Sequence, residues 1–299
     1  MLLIPMRPLA RLYDDDRLAI SFELFPPKTD AGVQAMLTNV RRLMDYSPAY
    51  FTCTYGAGGS SQSRTLDVIR RVKRETGLPI ASHLTCVGST REDLEAYLND
   101  AREAGTDYIV ALRGDPPKGE SEFRAVDGGL RYANELVELI RRRDDGYGIA
   151  VAGYPETHQE APDAATDLVN LKRKVDAGAD IVITQLFYDN DDFYRFRDRC
   201  VEAGIDLPIV PGILPVTRFA QAEKIAGMCK SVIPDSLRDA MLGCTTEEDE
   251  FAAGVEHARK QTLDLLENNV PGIHFYVLNK SAAAMELLRQ CDGLQSALA

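Results

Sequence analysis

Basic residues are in short supply: 34 Lys and Arg stand against 46 Asp and Glu in 299 residues, a formal net charge of −12. A surface poor in cations lacks the electrostatic footprint that phosphate backbones require, which argues against nucleic acid as a main partner. Long apolar runs are missing as well. No stretch approaches the roughly 18 residues needed to cross a bilayer, so no membrane partner is expected. The opening Met1-Leu-Leu-Ile-Pro-Met-Arg7 is too short for a signal peptide and soon meets Asp14-Asp-Asp16, which predicts a cytoplasmic protein. Six cysteines (53, 86, 200, 229, 244 and 291) include no C-x-x-C pair, so they read as reduced thiols rather than a disulfide framework or a zinc ribbon. Four histidines (83, 158, 257 and 274) show no H-x-x-x-H spacing, and no metal site is expected.

What remains is ordinary globular material, 45% hydrophobic and 27% charged. Short, nearly continuous apolar runs predict strands at 19–26, 50–56, 80–86, 108–114, 149–155, 181–187, 208–214 and 273–279, as expected where both faces of a parallel strand are covered. Amphipathic stretches at 63–77, 91–105, 163–178 and 191–204 alternate with them and end in Gly, and Thr90 and Asp163 are candidate N-caps. Eight such repeats in one chain predict an α/β fold, a (β/α)8 TIM barrel, with an open doubly wound sheet as the competing architecture. The stretches 234–244 and 246–269 predict extra helices before the eighth strand. No linker or repeat interrupts the pattern, so one domain over 18–299 is expected, preceded by an irregular arm at 1–17.

Polar residues gather where these strands run out, the end of such barrels at which chemistry collects. They are Glu23; Thr54-Tyr-Gly-Ala57; His83 and Thr85; Arg113-Gly-Asp115; Tyr154-Pro-Glu156 with His158; Gln185; and Tyr276 with Asn279. Glu23 lies in the apolar segment Ser21-Phe-Glu-Leu-Phe-Pro-Pro27. Burial there should raise its pKa toward the range of a general acid, unless an Arg or backbone amides tie it down as a structural carboxylate. Arg113 and Asp115, two apart on an extended strand, suit an anionic or heteroaromatic ligand; a turn or an internal ion pair is the alternative. Asn170-Leu-Lys-Arg-Lys174 is either a solvated helix face or, with Tyr154, His158 and Asp167 upstream, a diphosphate site. Tyr55-Gly-Ala-Gly-Gly-Ser60 fails the G-x-G-x-x-G pattern because the third glycine position is Ser61, so no Rossmann domain is read from it.

These segments, joined by His83-Leu-Thr-Cys86, Ala111-Leu-Arg-Gly-Asp115, Asn170-Leu-Lys-Arg-Lys-Val-Asp-Ala-Gly178, Ile183-Thr-Gln185, Pro211-Gly-Ile-Leu-Pro215 and His274-Phe-Tyr276, resemble the bacterial-type 5,10-methylenetetrahydrofolate reductases in order and over nearly the whole chain. The resemblance implies an FAD-containing barrel. It also implies a ping-pong oxidoreductase of one-carbon metabolism and methionine biosynthesis, in which NADH or NADPH reduces the flavin and methylenetetrahydrofolate is then reduced to methyltetrahydrofolate. The resemblance to bacterial relatives favours NADH. It implies Glu23 as the acid that opens the folate's five-membered ring and Asp115 as the charge between flavin and pterin. Thr54, Asp115, Gln185, Gln221 and Lys280 would bind substrates. The implied FAD positions are Tyr55, Ala57, His83, Arg113, Gly114, Asp115, Tyr132, Ala133, Tyr154, His158, Ala161, Asp167, Asn170, Arg173 and Lys174. A homo-oligomer is implied, as is a chain without the C-terminal regulatory domain of eukaryotic relatives.

Two positions depart from the family pattern: Lys280 stands where Arg is usual, trading a planar fork for a point charge, and Ile225 stands where some relatives carry an aromatic ring. The competing readings are a flavin-independent folate reductase, a Schiff-base barrel using Lys174, and a non-catalytic folate- or flavin-binding barrel. Lys174 falls inside a helix rather than at a strand end, against the second. The presence of Glu23 and Asp115 speaks against the third.

Overall fold

A computed structural model describes residues 9–14, 18–55, 62–116, 119–120, 122–143 and 146–291. Every strand ladder in it is parallel. The strands are β1 (Ala19–Leu24), β2 (Tyr50–Cys53), β3 (Ile80–Thr85), β4 (Tyr108–Leu112), β5 (Gly148–Gly153), β6 (Ile181–Thr184), β7 (Ile209–Val210), β8 (Gly212–Ile213) and β9 (Gly272–Tyr276). Their spatial order is β7-β6-β5-β4-β3-β2-β1-β9-β8. Because β7 and β8 flank Pro211 on one continuous segment, the two ends of that order are a single stave, and the sheet closes into the expected eight-staved barrel. Proline has no N–H to give to a ladder, which is why the stave is interrupted there.

Helices α1 (Asp30–Leu43), α2 (Gln62–Thr76), α3 (Arg91–Glu103), α4 (Ala133–Arg142), α5 (Ala164–Asp176) and α6 (Asn190–Glu202) follow successive strands. After β8 come α7 (Phe219–Cys229) and the two extra helices α8 (Asp235–Leu242) and α9 (Glu247–Glu267); α10 (Ala282–Gln290) follows β9. Thr90 and Asp163 cap α3 and α5 as expected, Thr90 in a reciprocal capping box with Asp93.

Alternation along each strand sorts the side chains. On β1, Ile20, Phe22 and Leu24 point out into the layer between strands and helices, while Ala19 faces the barrel interior. Phe22 lies in register between Phe51 and Phe275, with ring centroids 6.0 and 5.8 Å away. Each such ring contributes about 1.5–3 kcal/mol by burial.

At the N-terminal end of the barrel, Tyr50 and Tyr108 meet edge to face at 5.7 Å, and the Tyr13 and Tyr50 hydroxyls are 2.8 Å apart. Leu9 and Tyr13 complete this plug from a 3-10 turn at Leu9–Leu12. The described part of the arm is therefore not irregular: its apolar residues seal the floor that the small residues Ala19, Ala81 and Ala150 leave open.

Gly212 is required at the closing stave. A Cβ there would collide with the Thr184 carbonyl and lie 2.6 Å from the Tyr276 ring. Gly212→Ala is expected to destabilise the protein by about 1–3 kcal/mol, as overpacking does elsewhere. A denaturant midpoint unchanged from wild type would contradict this.

Candidate active site

The same alternation places Ser21 and Glu23 on the interior face of β1, opposite His274 and Tyr276 of β9, with which they are in register. His83 reaches the carboxylate from β3. Its Nε2 is 3.4 Å from Glu23 Oε2, and His274 Nε2 is 3.9 Å from the same oxygen. His274 is fixed from behind, its Nδ1 2.8 Å from Ser21 Oγ, and its side chain is only 1% exposed. Burial alone pushes Glu23 up, the direction anticipated from sequence. The His274 interaction and the nearby His83 outweigh it and hold the carboxyl below its usual range. The expected rise is thus corrected: the tie is a pair of imidazoles, not an Arg or backbone amides. Burial in turn pulls His83 down, with Glu23 working against it.

Glu23 and His83 face a cavity of about 400 Å³ at the C-terminal mouth, lined also by Thr54, Arg113, Gly114, Asp115, Tyr154, His158, Gln185, His274 and Tyr276. Apolar Leu186, Leu214, Ile225, Met228 and Leu278 complete it. The Thr54 hydroxyl is buried without a hydrogen-bond partner among the described residues. Gln185 is fixed by its own backbone, N to Gly153 O at 2.8 Å, and its Oε1 accepts from Leu186 N at 2.9 Å.

β4 ends at Leu112, so Arg113 and Asp115 lie beyond the strand rather than on it. Between them Gly114 has φ +88°, and a Cβ there would meet Val87 at 2.7 Å. Only glycine fits. Arg113 does not pair with Asp115. Its fork grips Glu160 at 2.5 and 2.6 Å, a bidentate bond to the β5–α5 loop that sequence reading missed because 47 residues separate the partners.

A polar cleft of about 940 Å³ adjoins the cavity and shares Leu112, Arg113, Ala152, Tyr154 and His158 with it. Tyr132, Ala133, Ala161, Asp167, Asn170, Arg173 and Lys174 all line it. The Asn170–Lys174 run is therefore split by the helix. Lys172 turns away to pair with Asp176, while Asn170, Arg173 and Lys174 face the cleft. Lys174 Nζ donates to Ala152 O at 2.5 Å, and burial lowers its pKa to about 8 against the pull of Asp167. The Asp167 carboxylate accepts from His158 N at 2.9 Å, and the Tyr154 ring packs edge to face on His158 at 4.6 Å. Cations, amides and a carboxylate along a long cleft fit a dinucleotide cofactor, the basic groups to its phosphates.

On the other side, the cavity shares Leu214, Ile225, Tyr276 and Leu278 with a largely apolar slot to which Gln221 and Lys280 also contribute. Of the residues singled out from sequence, Tyr55 reaches neither space and packs edge to face on Tyr97. Ala57 lies outside the described residues. His274 carried no assigned role in the sequence reading; its signal was a position two residues before Tyr276, on the same strand face. Among the described residues no group of three His, Cys, Asp or Glu side chains is placed to hold a metal ion, and no helix is long and apolar enough to cross a membrane.

A closed (β/α)8 barrel with a carboxylate, two imidazoles and a polar cleft at the C-terminal mouth belongs to the barrel enzymes in architecture. Residues 9–292 match the family model described as methylenetetrahydrofolate reductase, and the chain belongs to that family. It is 42% identical over 266 residues to the 5,10-methylenetetrahydrofolate reductase of Salmonella typhimurium, covering 89% of this chain and 88% of that one. It is 38% identical over 286 residues to methylenetetrahydrofolate reductase (NADH) 1 of Arabidopsis thaliana, covering 92% of this chain but 48% of the relative, so it spans about half the length of that plant protein. Among solved structures, an uncharacterised Clostridium thermocellum protein that binds two copies of 5-methyl-5,6,7,8-tetrahydrofolic acid superposes with a TM-score of 0.63 at 14% identity, covering 96% of this chain and 98% of that one. At that identity the likeness shows the fold alone.

Because Glu23 is held below its unfolded value, its ionised form contributes stability above the ordinary carboxylate range of about 4.3, and that contribution is lost as pH falls through the depressed value. His274→Gln removes the principal partner and leaves burial to raise the Glu23 pKa. With its native value no longer held below the unfolded one, Glu23 stops contributing an acid-side loss, so stability is expected to fall less steeply with acid than in wild type. Chemical denaturation across about pH 3–7 reads this directly; superimposable acid limbs for the two proteins would contradict it.

Proposed function

We propose that this protein reduces 5,10-methylenetetrahydrofolate to 5-methyltetrahydrofolate, with residues 18–299 as one catalytic unit. The observation that carries the reading is the Glu23 carboxylate, 15% exposed and lining the cavity, with two imidazole nitrogens within 3.9 Å of one of its oxygens. Family membership and the names of the bacterial relatives support the substrate. FAD, when bound in the cleft, supplies a two-electron carrier between reduced nicotinamide and folate, so that the two substrates use the cavity in turn. The plant relative's name supports NADH as the donor.

The chain's own residues have distinct tasks in this scheme. Glu23, with His83 and His274 against its carboxylate, delivers a proton to N10 of the folate, making that nitrogen a leaving group as the five-membered ring opens. Asp115, across the cavity, favours the cation that ring opening creates at N5. Gln185 offers a fixed amide to pterin or carboxamide edges, and the Thr54 hydroxyl, which has no partner among the described residues, supplies a further hydrogen bond in the same cavity. Gln221 and Lys280 meet the rest of the folate in the slot. Arg173, Lys174 and His158 hold the cofactor's phosphates and Asp167 its ribose hydroxyls, while Tyr154 and the Arg113–Glu160 pair close the cleft's inner end.

Purified protein should be yellow, and the flavin absorbance should bleach anaerobically with NADH more readily than with NADPH. Colourless protein that still reduced methylenetetrahydrofolate would favour a flavin-independent reductase. Glu23→Gln is expected to leave flavin reduction by nicotinamide nearly intact and to lower folate reduction on the order of 10²-fold or more; equal loss in both half-reactions would remove Glu23 from the acid role. Asp115→Asn should raise the flavin's reduction potential, because a negative charge that opposes electron density is gone. Spectroelectrochemistry giving the wild-type potential would refute that.

A further inference from the structure

Backbone strain collects at the wall between the cavity and the slot. Leu278 and Asn279 have φ of +46° and +59°, two consecutive left-handed residues of which neither is glycine. Lys280 N donates to Val277 O at 2.6 Å, so Val277–Lys280 is a tight turn with both central residues left-handed, a geometry usually given to Asn-Gly. A branched side chain at the first central position is costly, and such conformations persist only where the surroundings over-determine them. Leucine is accommodated here at a place where its side chain lines both the cavity and the slot.

The over-determining contact is visible. Asn279 Oδ1 accepts from Phe25 N at 2.9 Å, and Asn279 Nδ2 donates to Phe25 O at 2.5 Å. The β1–β9 ladder has its last register pair at Glu23 and Tyr276. Beyond it, the Asn279 carboxamide presents to Phe25 the acceptor and donor that a neighbouring strand would have presented. From outside, Asn39 Nδ2 on α1 donates to Asn279 O at 2.7 Å. The turn is thereby tied to the exit of the strand that carries Glu23.

We propose that Asn279 is a positioning residue for substrate binding: standing in for a strand backbone opposite Phe25, it holds the left-handed turn that places Leu278 and Lys280 around the folate. The assignment of substrate rests on the function proposed above. Asn279 acts through its neighbours and takes no part in proton delivery. Its loss therefore weakens binding in the slot and leaves the chemistry of a bound substrate alone.

Asn279→Ala and Asn279→Gly separate the clamp from the strain, because glycine tolerates the left-handed conformation but cannot bridge to Phe25. Both variants are expected to raise the KM for methylenetetrahydrofolate about tenfold, the scale of one or two lost hydrogen bonds. In both, kcat and the rate of flavin reduction at saturating nicotinamide should stay within about twofold of wild type. A wild-type KM in either variant would overturn the proposal, as would a joint fall in kcat, nicotinamide rate and melting temperature. Amide hydrogen exchange decides the clamp without any substrate. Phe25 and Lys280 should lose protection in both variants, and unchanged exchange would overturn it. Failure of the wild-type protein to turn over folate would refute the proposed function separately, with the exchange result still standing.

Discussion

A carboxylate set into the interior of a barrel has to be compensated where it stands, because the cost of carrying a bare charge out of water is many times what a single fold can absorb. Here compensation comes from across the barrel. His274 and His83 belong to staves on either side of Glu23 in sheet order, and Ser21 fixes the first of them. The cluster exists only when β9 lies beside β1, so closing the barrel and assembling the site are one event. The consequence for chemistry is a carboxyl that is neither solvated nor isolated but flanked by two imidazoles.

Much of this was legible in the amino-acid order. All eight staves were placed from apolar runs, since strands covered on both faces leave little room for polar residues except at the mouth. The few polar residues that did appear there, Glu23, His83, Arg113, Asp115, Tyr154, His158 and Gln185, converge on one cavity. The basic run 170–174 was ambiguous because helix periodicity alone does not say which side faces a ligand. The structure turns residues 170, 173 and 174 one way and 172 the other.

Less legible were the features that depend on who stands across from whom. The direction of the Glu23 shift was misjudged because desolvation is a local property of an apolar segment, whereas its partners lie 60 and 251 residues away. The bond from Arg113 to Glu160 was missed for the same reason, and an Asp two residues off was the more visible partner. The break at Pro211 was within reach, because a proline inside a predicted strand already argues against a continuous ladder.

The divided stave has a mechanical meaning for the whole molecule. Its two halves each meet a neighbour through only two register pairs, whereas the other seams have three to five. A hoop parts at its clasp, and this clasp continues directly into Leu214, at the rim of the cavity. The seams with the fewest register pairs therefore adjoin the rim of the cavity, while the aromatic plug lies at the opposite end of the barrel.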